Sequence, residues 1–242
     1  MELTLLDTPG HADLSGETER AIAAMDYAVL VISGTDGVQA HTETLWSLLG
    51  RGRVPTFVFV TKMDAAKGAR EAIMEDLRAH LSEACTAFPA PDGEALAMLD
   101  EETLDTYMET GRVPDDEISR LILRRKLVPV CFGSGLKLEG VEDFLKLIAT
   151  YAVEPPRPGI FGARVYKIAR DTQGNRLTYM KITGGTLSVR DTIRYHTAAG
   201  EKREEKAAQI RLYSGQKFDA VPSVSAGTLA AVTGLTETRP GQ

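Results

Sequence analysis

Cysteine is nearly absent from this chain of 242 residues: only Cys85 and Cys131 occur, 46 positions apart and with no metal-ligand spacing. A disulfide framework and a Cys-based zinc site are therefore excluded, and with no secretory signal recognisable, a reducing cytoplasm is the expected compartment. Long apolar runs are missing too. The uncharged ones, Tyr27 to Ser33 among them, are far short of the roughly 20 residues a membrane-spanning helix needs. Tryptophan is limited to Trp46, whose Leu45 and Leu49 neighbours have helical spacing and place it on a core-facing side. The most telling absence is a motif, since no GxxxxGK[ST] phosphate loop occurs anywhere in the sequence.

What is present is ample for a core, with 43% hydrophobic residues, and the length suits two modest domains. Charge is unevenly spread about the Glu154-Pro155-Pro156-Arg157-Pro158-Gly159 stretch. Residues 1–158 carry 15 Lys and Arg against 27 Asp and Glu, a balance of −12, whereas residues 159–242 carry 13 against 7, a balance of +6. The second part suits a polyanionic partner. The acidic first part opposes nonspecific nucleic-acid binding, so an oriented, docked contact is expected.

The first 150 residues alternate β-branched apolar runs with helical spacing, the pattern of a parallel sheet covered by helices. Strands are expected at Leu3–Leu6, Ala28–Ile32, Thr56–Val60 and Leu127–Phe132, with helices near 16–25, 42–51, 66–84 and 141–151. The proline- and glycine-punctuated acidic stretch after Asp64 reads as a helical insertion, about 66–126. Beyond the prolines the period becomes that of strands, near 161–170, 175–187, 191–196, 205–213 and 227–233, enough for a small closed antiparallel barrel. The expected organisation is thus 1–153, a linker at 154–158, and a barrel over 159–242.

Two loops carry chemistry. Asp7-Thr8-Pro9-Gly10-His11 follows the first apolar run. There a carboxylate on Asp7 can hold Mg²⁺ through water, Gly10 lets a backbone amide approach a γ-phosphate, and the His11 imidazole can orient an attacking water. Thr61-Lys62-Met63-Asp64 ends another run. Asp64 can accept from N1–H and the exocyclic amine of guanine, a donor pair adenine lacks, while Lys62 lays its methylene stem across the base. A third, weaker element is the turn Ser134-Gly135-Leu136 between a strand and a helix, where Ser134 and the Gly135 amide can meet the guanine carbonyl. Together these make two-thirds of a GTP site. A simple Pro-Gly turn, a solvated Lys and Asp, and a bare Gly-Ser-Gly turn are the bland alternatives.

On these residues, with Asp36-Gly37-Val38, Thr42-Glu43-Thr44-Leu45-Trp46, Gly140-Val141 and Lys181-Ile182-Thr183-Gly184-Gly185-Thr186-Leu187, the chain resembles the translational GTPases of the elongation factor G and tetracycline-resistance ribosomal protection type. Arg164–Ile168 and Leu177–Tyr179 lean toward the second branch. The resemblance implies an α/β fold, a partial P-loop GTPase-type parallel sheet followed by a β-barrel of the translation-factor second-domain type. It further implies a monomer that binds GTP or GDP with Mg²⁺ and works on the ribosome, with His11 catalytic, Asp7, Thr8, Pro9 and Gly10 near the phosphates and metal, and Thr61 to Asp64 with Ser134 to Leu136 around the base.

Departures qualify it. Thr61 stands where the family has Asn, a change expected to lose a tether between loops; Leu14, Gly135 and Leu136 also differ. Lacking the phosphate loop, the chain reads as a fragment without turnover of its own, whose sheet is opened beside strand 3–6. Two other readings stand beside this one: a ribosome-docking module without catalysis, and a GTPase of the same fold acting outside translation. His41, His80 and His196 read as surface imidazoles, and the run Glu201–Lys206 as a solvated hairpin.

Overall fold

The computed structural model describes residues 3–8, 10, 15–66, 70–89 and 91–242, with only the backbone of Ser15 and Glu17. They form two compact units. One is Asp26–Glu154; the other is Pro155–Gln242 together with the segment from Glu2 to Met25.

The first unit is built on four parallel strands, β1 (Ala28–Ser33), β2 (Thr56–Thr61), β3 (Cys85–Ala87) and β4 (Val128–Phe132), in the order β1-β2-β4-β3. β2 is buried along almost its whole length, as expected of a central parallel strand covered on both faces. Its alternate residues feed two cores. Phe57 and Phe59 point to one, where Phe144 of α7 (Val141–Tyr151) meets them at ring-centroid distances of 6.5 and 5.0 Å. Val58 and Val60 point to the other, shared with Ile73, Met74 and Leu77 of α3 (Arg70–His80), while Leu45 and Trp46 of α2 (Ala40–Arg51) pack against it. β1 is the sheet's edge, and its burial alternates: Leu30 and Ile32 are covered, whereas Val31 is 60% exposed.

Between β3 and β4 lie three short helices, α4 (Gly93–Ala97), α5 (Glu101–Thr110) and α6 (Asp115–Leu123). Asp100 caps α5 by accepting from Glu102 N at 3.1 Å, and it also takes Lys126 Nζ, with Arg120 at 3.5 Å. Gly111, at φ +71°, ends α5 in the left-handed conformation that glycine tolerates best.

In the second unit α1 (Ser15–Ile22) lies against β5 (Gly162–Arg170). β5 pairs with β6 (Arg176–Gly184) through a turn in which Asp171 Oδ1 accepts from Gln173 N and Asn175 N. A five-stranded antiparallel sheet follows the order β11-β10-β13-β6-β5, with β10 at Gln209–Ser214, β11 at Lys217–Val221 and β13 at Leu229–Thr233. Two ribbons accompany it, β7 (Thr186–Ser188) with β12 (Ser223–Ser225), and β8 (Thr192–His196) with β9 (Lys202–Lys206). All three sheets contribute to one core, in which Ile182, Ile210 and Val232 are fully buried. The expected closed barrel is thus divided into a main sheet and two ribbons.

Two expectations are corrected. No strand forms over Leu3–Leu6, and Leu5 is 82% exposed. Three leucines and a threonine without a ladder partner gain neither the hydrogen bonds nor the burial that stabilise a strand. The stretch 66–126 is not wholly helical, because β3 within it extends the parallel sheet beside β4.

Candidate guanine-reading site

The base-reading loop begins where β2 ends. Ser33 at the end of β1 pairs in register with Thr61, and Gly34 N donates to Thr61 O at 2.8 Å. A Cβ on Gly34 would stand 2.8 Å from Met63 Sδ and 3.0 Å from Thr61 O, so only glycine lets the two loops lie this close. Lys62 then turns the chain with φ +60°, and Met63 N donates to Gly133 O at 3.0 Å. The loop is held from both sides by its neighbours at the carboxyl ends of the strands, where ligands of open α/β sheets are received.

The turn after β4 is equally constrained. Ser134 N donates to Glu139 O at 2.9 Å and Ser134 Oγ accepts from Lys137 N at 3.3 Å, which buries Ser134 and leaves Leu136 89% exposed. A Cβ on Gly133 would sit 2.2 Å from Glu139 O and 2.7 Å from the Phe59 ring. Gly140, at φ +73°, then opens α7. Gly135 N donates to Thr61 Oγ1 at 3.2 Å across 74 positions of sequence. Thr61 therefore ties the base loop to the 134–136 turn with its hydroxyl, so the tether expected to be lost is present in another chemical form.

Charges complete the site. Asp64, with a side chain 21% exposed, has Lys137 Nζ at 4.0 Å; Lys62 Nζ lies 3.7 Å from Asp36 Oδ2. The Ser33 hydroxyl and, after it, the Lys62 ammonium hold the Asp36 carboxyl below its usual range. Exposed pairs at such distances are weak, so each partner remains available to a ligand. Lys137 and Asp36 were not foreseen as neighbours of the base loop. Spacing gives a partial signal for Lys137, three residues after Ser134, but none for Asp36. Beside the loop a cleft of about 620 Å³ is lined by Met63, Arg70, Phe88, Phe132 and Asp143, with the Arg70 guanidinium 5.3 Å from the Phe132 ring centroid.

The structure brings Thr61, Lys62, Met63 and Asp64 together with Ser134, Gly135 and Leu136 in the first unit. Asp7, Thr8 and Gly10 belong to the second, and Asp7 is exposed. Pro9 and His11 lie outside the described residues. Among the described residues no three His, Cys, Asp or Glu gather around a metal position.

Residues 1–154 match the family described as elongation factor Tu GTP binding domain. Along its whole length the chain is 29% identical to an oxytetracycline resistance protein of Streptomyces rimosus, covering 42% of that protein. It is 27% identical to an elongation factor G of Ureaplasma parvum serovar 3, with 99% of the chain and 45% of the relative covered. A crystal structure of a protein from Thermus thermophilus superposes with a TM-score of 0.79 at 25% identity, over 98% of this chain and 43% of the other. The chain spans less than half the length of these proteins. It belongs to the elongation factor Tu GTP binding domain family.

Proposed function

We propose that this chain supplies the guanine-reading part and the adjoining β domain of a ribosome-dependent GTPase of the elongation factor G or ribosomal protection type, converting GTP to GDP. The carrying observation is the Thr61–Asp64 loop, pinned by Thr61 Oγ1 and Met63 N onto the 133–135 turn with the Asp64 carboxylate partly open to solvent. In this reading Asp64 accepts the guanine N1–H and amine, the Lys62 stem covers the base, and the 134–136 turn meets the carbonyl. Asp7 holds Mg²⁺ through a water, Thr8, Pro9 and Gly10 shape the γ-phosphate loop, and His11 orients the water that attacks. When bound, Mg²⁺ neutralises charge on the phosphates.

The organisation proposed is a GTP-binding part over 1–153, a linker at 154–158 and a β domain over 159–242, in a monomer working in the cytoplasm. Among the described residues no helix is long and apolar enough to cross a membrane. The relatives named for oxytetracycline resistance and for elongation support the ribosome as partner. The test is GTP turnover with and without ribosomes by the intact protein that carries this chain, in wild type and His11→Ala, together with co-sedimentation. Stimulation by ribosomes that His11→Ala abolishes supports the reading. Co-sedimentation without any turnover favours a docking module, and the absence of both turnover and co-sedimentation overturns the ribosome as partner.

A further inference from the structure

The loop that joins β1 to α2 carries Asp36, and a third element closes it. Ser33 O accepts from Asp36 N at 3.2 Å and from Gly37 N at 2.9 Å, which coils residues 33–37 into a tight turn. Asp76 of α3 then reaches across 38 positions, and its Oδ2 accepts from Val38 N at 2.8 Å. The approach is close. Gly37 has φ +67°, and a Cβ there would stand 2.8 Å from the same oxygen. The other oxygen, Asp76 Oδ1, lies 2.9 Å from His80 Nδ1, so both oxygens of the carboxylate are engaged. α3 is itself fixed, because Ile73, Met74 and Leu77 are buried in the core they share with Val58 and Val60 of β2.

A carboxylate that accepts from a loop amide often does no more than help start the helix that follows. Here α2 has its own means. Thr42 Oγ1 accepts from Gln39 N at 3.3 Å, and Gln39 O accepts from Glu43 N at 3.1 Å. The Asp76 bond instead secures the far end of the 33–38 turn, whose near end is held by Gly34 N on Thr61 O at 2.8 Å. Between these two anchors sits Asp36, with its Oδ2 3.7 Å from Lys62 Nζ. An exposed ion pair is too weak to fix a lysine by itself. It can bias where Lys62 rests only if the carboxylate is already fixed, and the bond at Val38 is what closes the turn that carries it.

We propose that Asp76 is a positioning residue for the base loop: by latching Val38 it holds the Asp36 carboxylate beside Lys62 and so keeps the lysine stem where it covers the base. This deepens the guanine reading of the 61–64 loop and rests on it, but the latch also has a readout that needs no nucleotide. The experiment pairs titration of the 242-residue chain by N-methylanthraniloyl GDP and Mg²⁺ with amide hydrogen exchange followed by NMR. The variants are Asp76→Ala, Asp76→Asn, Asp36→Asn and the combination of Asp76→Ala with Asp36→Asn. Asp76→Ala should lose about three- to tenfold in GDP affinity and speed exchange of the Val38 and Met63 amides by at least about threefold. Asp76→Asn, whose side-chain oxygen still accepts from Val38 N, should restore most of both. In the Asp36→Asn background, Asp76→Ala should cost no further GDP affinity, because the two side chains act in series. Circular dichroism of each variant checks that the fold is intact. A Met63 amide that exchanges as in wild type after Asp76→Ala, a GDP affinity that Asp76→Ala leaves unchanged, or losses that simply add in the combined variant would overturn the proposal. A wild type that binds no GDP, with a Met63 amide that still responds to Asp76→Ala, removes the guanine reading and keeps the latch.

Discussion

Thr56–Thr61 and Leu3–Leu6 are both apolar runs that lead into an Asp-bearing loop, yet only the first is a strand. β2 has β1 on one side, β4 on the other and a core on each face, and it delivers Thr61–Asp64 into a loop fixed by backbone bonds to Gly34 and Gly133. Residues 3–6 have no ladder, and Leu5 stands in solvent. β-propensity is a preference for a half-buried pleated surface, so identical local chemistry gives a strand only where neighbours provide that surface. A loop inherits its precision from the strand that carries it, and the base loop has β2 to carry it.

The contrast can be broken at its strong end. Phe57→Ala removes a fully buried ring that packs edge-on against Phe144, and a loss of about 3–5 kcal/mol in urea unfolding is expected. A loss below about 1 kcal/mol would mean that β2 is not the centre of the unit. Gly133→Ala drives a methyl into Glu139 O and the Phe59 ring, with an expected cost of about 1–3 kcal/mol in the same assay and a displaced 134–136 turn.

Acid sharpens the comparison within the first unit. The carboxyl of Asp100 is held at about 2, first by its bond from Lys126, then by Glu102 N and by the Arg120 charge. A carboxyl whose pKa is lowered by folding stabilises the native state fully above its ordinary value of 3.8, and that contribution vanishes as pH falls toward 2. The stability gap between wild type and Asp100→Asn should therefore be constant above about pH 5 and close between about pH 4 and 2. A gap unchanged over that window would show that the charge plays no part. At the weak end of the contrast, Leu5→Ser should change stability by less than about 0.5 kcal/mol; a larger loss would place residues 3–6 in a packed strand after all.

Much of this was legible beforehand for a physical reason. β2 and β4 are continuous β-branched runs, and in a parallel sheet buried on both faces such runs need no alternation to be recognised. The loop Thr61–Asp64 could be placed because it directly follows one. β3 could not, since Cys85-Thr86-Ala87 is too short for any period and sits near prolines. The hydroxyl bond from Gly135 N to Thr61 and the approach of Lys137 to Asp64 join residues more than 70 positions apart, a relation set by strand order. Glycine shows the reverse problem: Gly135 suggests backbone that meets the base carbonyl, whereas the glycine at 133 is required by the approach of Glu139 and Phe59.

The central claim is that Asp64 reads guanine. The most direct measurement is a titration of this chain, with Mg²⁺, by fluorescent GDP, ADP and xanthosine diphosphate, in wild type and Asp64→Asn. Asparagine can donate to the second carbonyl of xanthine where aspartate can only accept from the amine of guanine. The account predicts that wild type prefers GDP over ADP, and that Asp64→Asn weakens GDP by about tenfold or more while strengthening xanthosine diphosphate. Equal binding of GDP and ADP by wild type, or a GDP affinity indifferent to Asp64→Asn, would contradict it.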